Sequence, residues 1–190
     1  MYSLKNNRLN YFILFAISLL TLSPQDHSFY PGLDGSYFWA YNYLINFMPA
    51  ELDKATFIYG PLAFLHYPVC YGILIIIGCL FEILLKFLLG FCLLKLSQLL
   101  EIDKRIAFAL FVFSCFTMFS PEAYINLIII LFLVIYFLES KLSYLILIAL
   151  LTAFGYYYKC SIGLSAVLFQ AAFLIYLSLI NKKIDFKLFL

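Results

Sequence analysis

The sequence predicts an all-α integral membrane protein: about six transmembrane helices, with an interfacial helix in a long first outer loop. Three observations carry that expectation. Of the 190 residues, 66% are hydrophobic and 12% charged, against about 25% charge in soluble domains, and the mean hydropathy is +1.03. The apolar residues fall into stretches approaching the ~20 that a helix needs to cross a hydrocarbon core of about 30 Å. A single polar island, Pro24 to Tyr67, interrupts them near the start. An ordinary water-soluble fold is excluded. The net charge of +2 implies no nucleic-acid partner, because the basic residues are scattered rather than gathered into a patch.

The chain reads as one membrane module, residues 1–190. Its first apolar segment, about Leu9 to Ser23, follows Lys5 and Arg8. A signal peptide is the alternative, but Ser18 to Ser23 lacks a clean small-x-small cleavage site, which favours an uncleaved first span. The second span runs from about Pro68 to Leu99 and is long enough to tilt or to project into water. Glu82 and Lys86 sit inside it at i,i+4, on one face, where they can neutralise each other. Such a pair is either a functional charge at depth or a structural contact to another helix. Glu101, Asp103, Lys104 and Arg105 break the chain before a third span, about Ile106 to Phe119. Ser120-Pro121-Glu122 turns it into a fourth, about Ala123 to Leu138, and Glu139-Ser140-Lys141 is the next break. A fifth span, about Leu142 to Gly155, and a sixth, about Ile162 to Ile180, meet at Tyr156 to Cys160.

Positive-inside counting orients these spans. Lys5, Arg8, Lys95, Lys104, Arg105, Lys141, Lys182, Lys183 and Lys187 fall on one set of ends, and Lys54 and Lys159 on the other. Both termini are therefore expected in the cytoplasm of a cell bounded by a plasma (inner) membrane. The 24–67 loop, the Glu122 turn and the Lys159 turn share the outer face. The five cysteines, Cys70, Cys79, Cys92, Cys115 and Cys160, lie in apolar stretches without metal-site or redox spacing. They read as packing residues.

Within the outer loop, Tyr37, Phe38, Tyr41, Leu44, Ile45 and Met48 fall on one helical face, with Ser36, Trp39, Asn42, Tyr43 and Asn46 opposite. Pro49 marks the stop, and such a helix suits the plane of the membrane interface. Asp34, in Pro31-Gly32-Leu33-Asp34-Gly35-Ser36, is either its N-cap or a catalytic or ligand carboxylate. Ser36 could cap instead. Tyr59-Gly60-Pro61-Leu62 reads as a turn into the second span, and His27 and His66 form no zinc-ligand spacing. Glu122 is an ordinary helix-start carboxylate, and Lys159 lies among tyrosines where snorkelling or cation–π contact is the structural reading. Jointly, a cation and several carboxylates on one face could bind a phosphate-bearing lipid, through Lys159 or a bound divalent metal.

Three runs, Pro31 to Ser36, Ala40-Tyr41-Asn42 and Tyr59-Gly60-Pro61-Leu62-Ala63-Phe64-Leu65, resemble the first outer loop of bacterial multispanning proteins related to the GT-C superfold of lipid-linked glycosyltransferases. In that group an Asp followed by Ser and an Ala-x-Asn stretch precedes a Phe-x-Tyr-Gly-Pro-Leu run. The resemblance implies transfer of a sugar from a polyprenyl-phosphate donor at the outer face. Asp34 matches the loop carboxylate that acts as base or helps hold a metal. Glu122 is the candidate for a second acidic residue in the next outer loop. Lys159 would neutralise donor phosphate, and Asn42, Tyr59 and His66 complete the substrate-binding candidates. Donor and acceptor identities stay open. GT-C proteins usually have more than ten spans, so the resemblance also implies that this is an amino-terminal module, completed by a carboxyl-terminal half or a partner subunit. The alternatives are a non-enzymatic membrane subunit, such as a lipid-binding or assembly factor, and a transporter, for which Glu82 and Lys86 are the only support.

Overall fold

A computed structural model describes residues 4–22, 40, 43–45, 47–48, 62–65, 73–117 and 120–181. Its architecture is helical: α1 (Leu4–Leu20), a 3-10 turn (Ala63–Leu65), α2 (Ile73–Leu99), α3 (Lys104–Phe116), α4 (Pro121–Glu139), α5 (Leu142–Tyr158) and α6 (Cys160–Asn181). Three helices are long and apolar enough to cross a membrane: α2, α4, and α6 over Cys160–Ser178. The 17 residues of α1, 13 of α3 and 17 of α5 are shorter than the ~20 of a full span. Of the expected interfacial helix, Ala40, Tyr43–Ile45 and Phe47 are helical, and the Met48 amide donates to the Leu44 carbonyl at 2.8 Å. The remainder of Ser36 to Met48 lies outside the described residues.

Helix ends follow local chemistry rather than the drop in hydropathy used to estimate the spans. Helix α3 starts at Lys104, two residues before the apolar run, because the Asp103 carboxylate accepts from the Arg105 amide at 2.9 Å. It stops at Phe116, where the Thr117 amide closes the last turn onto the Phe113 carbonyl. Helix α4 starts at Pro121, whose missing amide hydrogen costs nothing at the first helical position, with Ser120 as N-cap. It ends in Ser140, a left-handed cap at φ 52° whose amide donates to the Tyr136 carbonyl at 2.7 Å.

Helix α1 starts at Leu4, five residues before the expected Leu9, and α5 continues three residues past Gly155. The tyrosines that lowered local hydropathy extend the helix, and the chain reverses through Lys159 alone, in extended backbone at φ −158° and ψ 121°. Gly155 does not break the helix. It is buried, and a side chain there would crowd the Ile162 methyl at 3.1 Å.

Helix α2 is the hub: α1, α3, α4 and the 3-10 turn all pack on it, α5 packs mainly on α4 and α6 but meets α2 at Phe81, and α6 packs on α4 and α5. Two cores result. The larger lies between α2, α4, α5 and α6, and is centred on Ile125, Ile128, Ile129 and Phe132. The smaller packs Leu14 of α1 and Phe111 of α3 against Leu94 of α2. Association inside lipid gains little from apolar burial, so close packing and interhelical hydrogen bonds must supply it, at about 0.6–2 kcal/mol per bond. Among the described residues such bonds include Tyr124 Oη to the Ser114 carbonyl at 2.9 Å, Ser165 Oγ to Asn126 Oδ1 at 3.0 Å, and Gln170 Nε2 to Thr152 Oγ1 at 2.7 Å. One end of the bundle is clamped by Glu139, held by Lys95 at 2.5 Å and Lys141 at 2.8 Å. The Tyr144 hydroxyl donates to the same carboxylate at 2.9 Å.

Candidate functional site

At the opposite end of α4 a second ion pair forms. Glu122 lies in the first turn of α4 because Ser120 caps that helix and Pro121 opens it. A carboxylate there is also favoured by the helix dipole. Lys159 is the single residue between α5 and α6, and its own backbone ties both together. Its amide donates to the Gly155 carbonyl at 2.9 Å, and its carbonyl accepts from the Ile162 amide at 2.8 Å. This fixes the Lys159 backbone, and its Nζ lies 2.7 Å from Glu122 Oε1, with the two side chains 19% and 26% exposed. The contact is a charge-assisted hydrogen bond in a partly desolvated setting. The second oxygen of Glu122 accepts no hydrogen bond from the described residues.

The surroundings divide into a rigid floor and an open rim. Below Lys159, Tyr158 is fully buried and its ring lies 6.0 Å from Phe81 and 6.1 Å from Phe154. One turn beyond Glu122 on α4, Asn126 accepts from Ser165 of α6, so the polar character continues downward. On the rim, Tyr156 and Tyr157 are exposed and meet edge to face at 6.1 Å. The Leu62 amide donates to the Tyr157 carbonyl at 3.3 Å, and Leu65 is buried in the larger core. The end of the Tyr59-to-Leu65 run is thus docked two residues from Lys159.

Of the residues singled out from sequence, the structure brings Glu122 and Lys159 together. Lys159, expected among aromatic contacts, is held by a carboxylate. Asp34, Asn42, Tyr59 and His66 lie outside the described residues. Among the described residues no three His, Cys, Asp or Glu side chains converge as metal ligands. Sequence reasoning missed Asn126 and Ser165. The available signal was Asn126 four residues after Glu122, on the same helical face.

The arrangement can present a cation to an anion that competes with Glu122 for Lys159. Exchange of the pair is predicted to be inexpensive. A double-mutant cycle with Glu122→Gln and Lys159→Met should give a coupling energy of about 1 kcal/mol, read from unfolding in detergent micelles. A coupling near zero would mean that the contact does not persist in solution.

The fold is helical, with three helices long and apolar enough to cross a membrane, which suggests a membrane protein. No protein family, curated protein or solved structure was found to match the chain.

Proposed function

We propose that this chain is a GT-C-like module of a membrane glycosyltransferase, acting at the outer face on a polyprenyl-phosphate sugar. In this reading all six α-helices cross the bilayer, both termini are cytoplasmic, and the short helices α1, α3 and α5 are completed by their polar flanks. The supporting observation is the Glu122–Lys159 pair at 2.7 Å, beside Leu62 of the run that carries the resemblance. Asp34 accepts the proton of the acceptor hydroxyl as that oxygen bonds to the anomeric carbon. The bond from that carbon to the phosphate oxygen breaks, and the electron pair leaves on the lipid phosphate. Lys159 is the cation that stabilises the departing phosphate. Glu122 keeps that lysine oriented and is the second carboxylate available to a proton or a divalent cation. Asn42, Tyr59 and His66 are assigned to substrate contacts.

The test is sugar transfer from a polyprenyl-phosphate hexose in membranes containing the full-length protein and its partners. Asp34→Asn should lower transfer by roughly 10²–10⁴-fold, the usual contribution of a general base, with expression and insertion unchanged. Full transfer by that variant would remove Asp34 from catalysis. Absence of transfer in the native protein, with partners copurifying, would favour the assembly-factor reading.

A further inference from the structure

Lys86 is 2% exposed in the middle of α2, a helix otherwise packed among hydrocarbon. A buried ammonium needs compensation, and the structure supplies two partners. Glu82, one turn earlier, lies 2.6 Å from Nζ. The second partner comes from 65 residues away: Nζ donates to the main-chain carbonyl of Thr21, just past the end of α1.

That carbonyl belongs to a helix terminus, where the last carbonyls lack intrahelical partners and carry partial negative charge. Neighbouring hydroxyls serve other carbonyls. Ser18 Oγ donates to the Leu14 carbonyl and Thr21 Oγ1 to the Ile17 carbonyl, both at 2.8 Å. Thr21 is left to Lys86. One turn along α2, Gly90 makes room for Leu14, whose tip would lie 2.7 Å from any added Cβ. Helix α1 therefore rests on α2 at Gly90, and its end is pinned at Lys86. The Thr21 hydroxyl also neighbours the Cys115 thiol near the end of α3.

A buried ion pair is a poor way to gain stability, since well-packed apolar residues often serve as well or better. It is a good way to specify one position, because only one alignment of α1 brings Thr21 to the ammonium. We propose that Lys86, with Glu82 as its counter-charge, is a positioning residue that fixes where the chain ends α1, at Thr21 and Leu22. Ahead of α2, the chain is held separately, by Leu62 on Tyr157 and by the buried Leu65. The proposal goes beyond the glycosyltransferase reading and does not depend on it.

The test uses the full chain in phospholipid nanodiscs, with Cys70, Cys79, Cys92 and Cys160 replaced by alanine and Thr21→Cys introduced opposite the native Cys115. Mild oxidation should join positions 21 and 115 when Lys86 is present. Lys86→Met should slow the cross-link by at least roughly tenfold, as expected for loss of a hydrogen bond to a charged group. Lys86→Arg should restore it, and Lys95→Met, an equal loss of charge at the other end of α2, should leave it unchanged. Because Lys86→Met takes the ammonium from Glu82, the paired change Glu82→Leu with Lys86→Met keeps the test valid if the single variant misfolds; it too should cross-link slowly. A native-rate cross-link in either variant, or none with Lys86 present, would overturn the proposal.

Discussion

Gly163→Ala is expected to destabilise the protein by about 3 kcal/mol, at the upper end for overpacking, although alanine is the better helix former by about 1 kcal/mol. A Cβ at position 163 would lie 2.6 Å from both Cα and Cβ of Tyr156 and 2.8 Å from its amide nitrogen. Two of these are main-chain atoms, so no side-chain rotation relieves the clash. Helices α5 and α6 must separate at the turn that carries Lys159, and the contact to Glu122 should loosen with them. Gly90→Ala is the control. Its nearest neighbours are the tip of Leu14 at 2.7 Å and the Phe111 ring at 3.1 Å, which can yield, and the cost should be about 1 kcal/mol. Unfolding in detergent micelles measures both. Equal effects would mean that the α5–α6 contact is not as close as described.

Lys86→Met is expected to cost about 3–5 kcal/mol, because it removes the ammonium lying 2.6 Å from the Glu82 carboxylate in a largely buried ion pair. Adding Glu82→Leu should recover most of that loss. What remains, about 1–2 kcal/mol, is the Thr21 carbonyl deprived of its donor. The recovery is the informative quantity. If the double change were as damaging as the single, the cost would lie in the carbonyl contact and not in the Glu82 charge. The same micelle unfolding series settles it.

These two residues also show what sequence could and could not carry. The helix-rich membrane character was legible from composition, and the order of helices from the charged breaks between them. Glu82 and Lys86 were legible as a pair, because i,i+4 spacing is a local property. The Thr21 carbonyl was not, since a main-chain acceptor 65 residues away has no side-chain signature. Helix faces were equally hidden. Between Asn126 and Glu139 helix α4 is apolar all round, and only packing distinguishes buried Ile128 from exposed Val134. The one-residue turn at Lys159 was obscured because three tyrosines resemble a break on a hydropathy scale yet continue a helix. In the candidate site, Glu122 and Lys159 could be named from charge and position, but their bond depends on Gly163, whose role is invisible until the two backbones are in place.

The clamps at the two ends of α4 have a mechanical consequence. Glu122 and Glu139 are separated by 139 − 122 = 17 residues of one helix, about 26 Å of rise. Each is tied to a neighbouring element, by Lys159 at one end and by Lys95 and Lys141 at the other. A greasy belt of fixed height is the result, a little shorter than an average hydrocarbon core of about 30 Å. Where α4 crosses a bilayer, as its length and composition allow, thinning of the surrounding lipid is one way to meet it, at fractions of a kcal/mol for each ångström of mismatch. Short-chain or more fluid lipid should therefore gather around this protein.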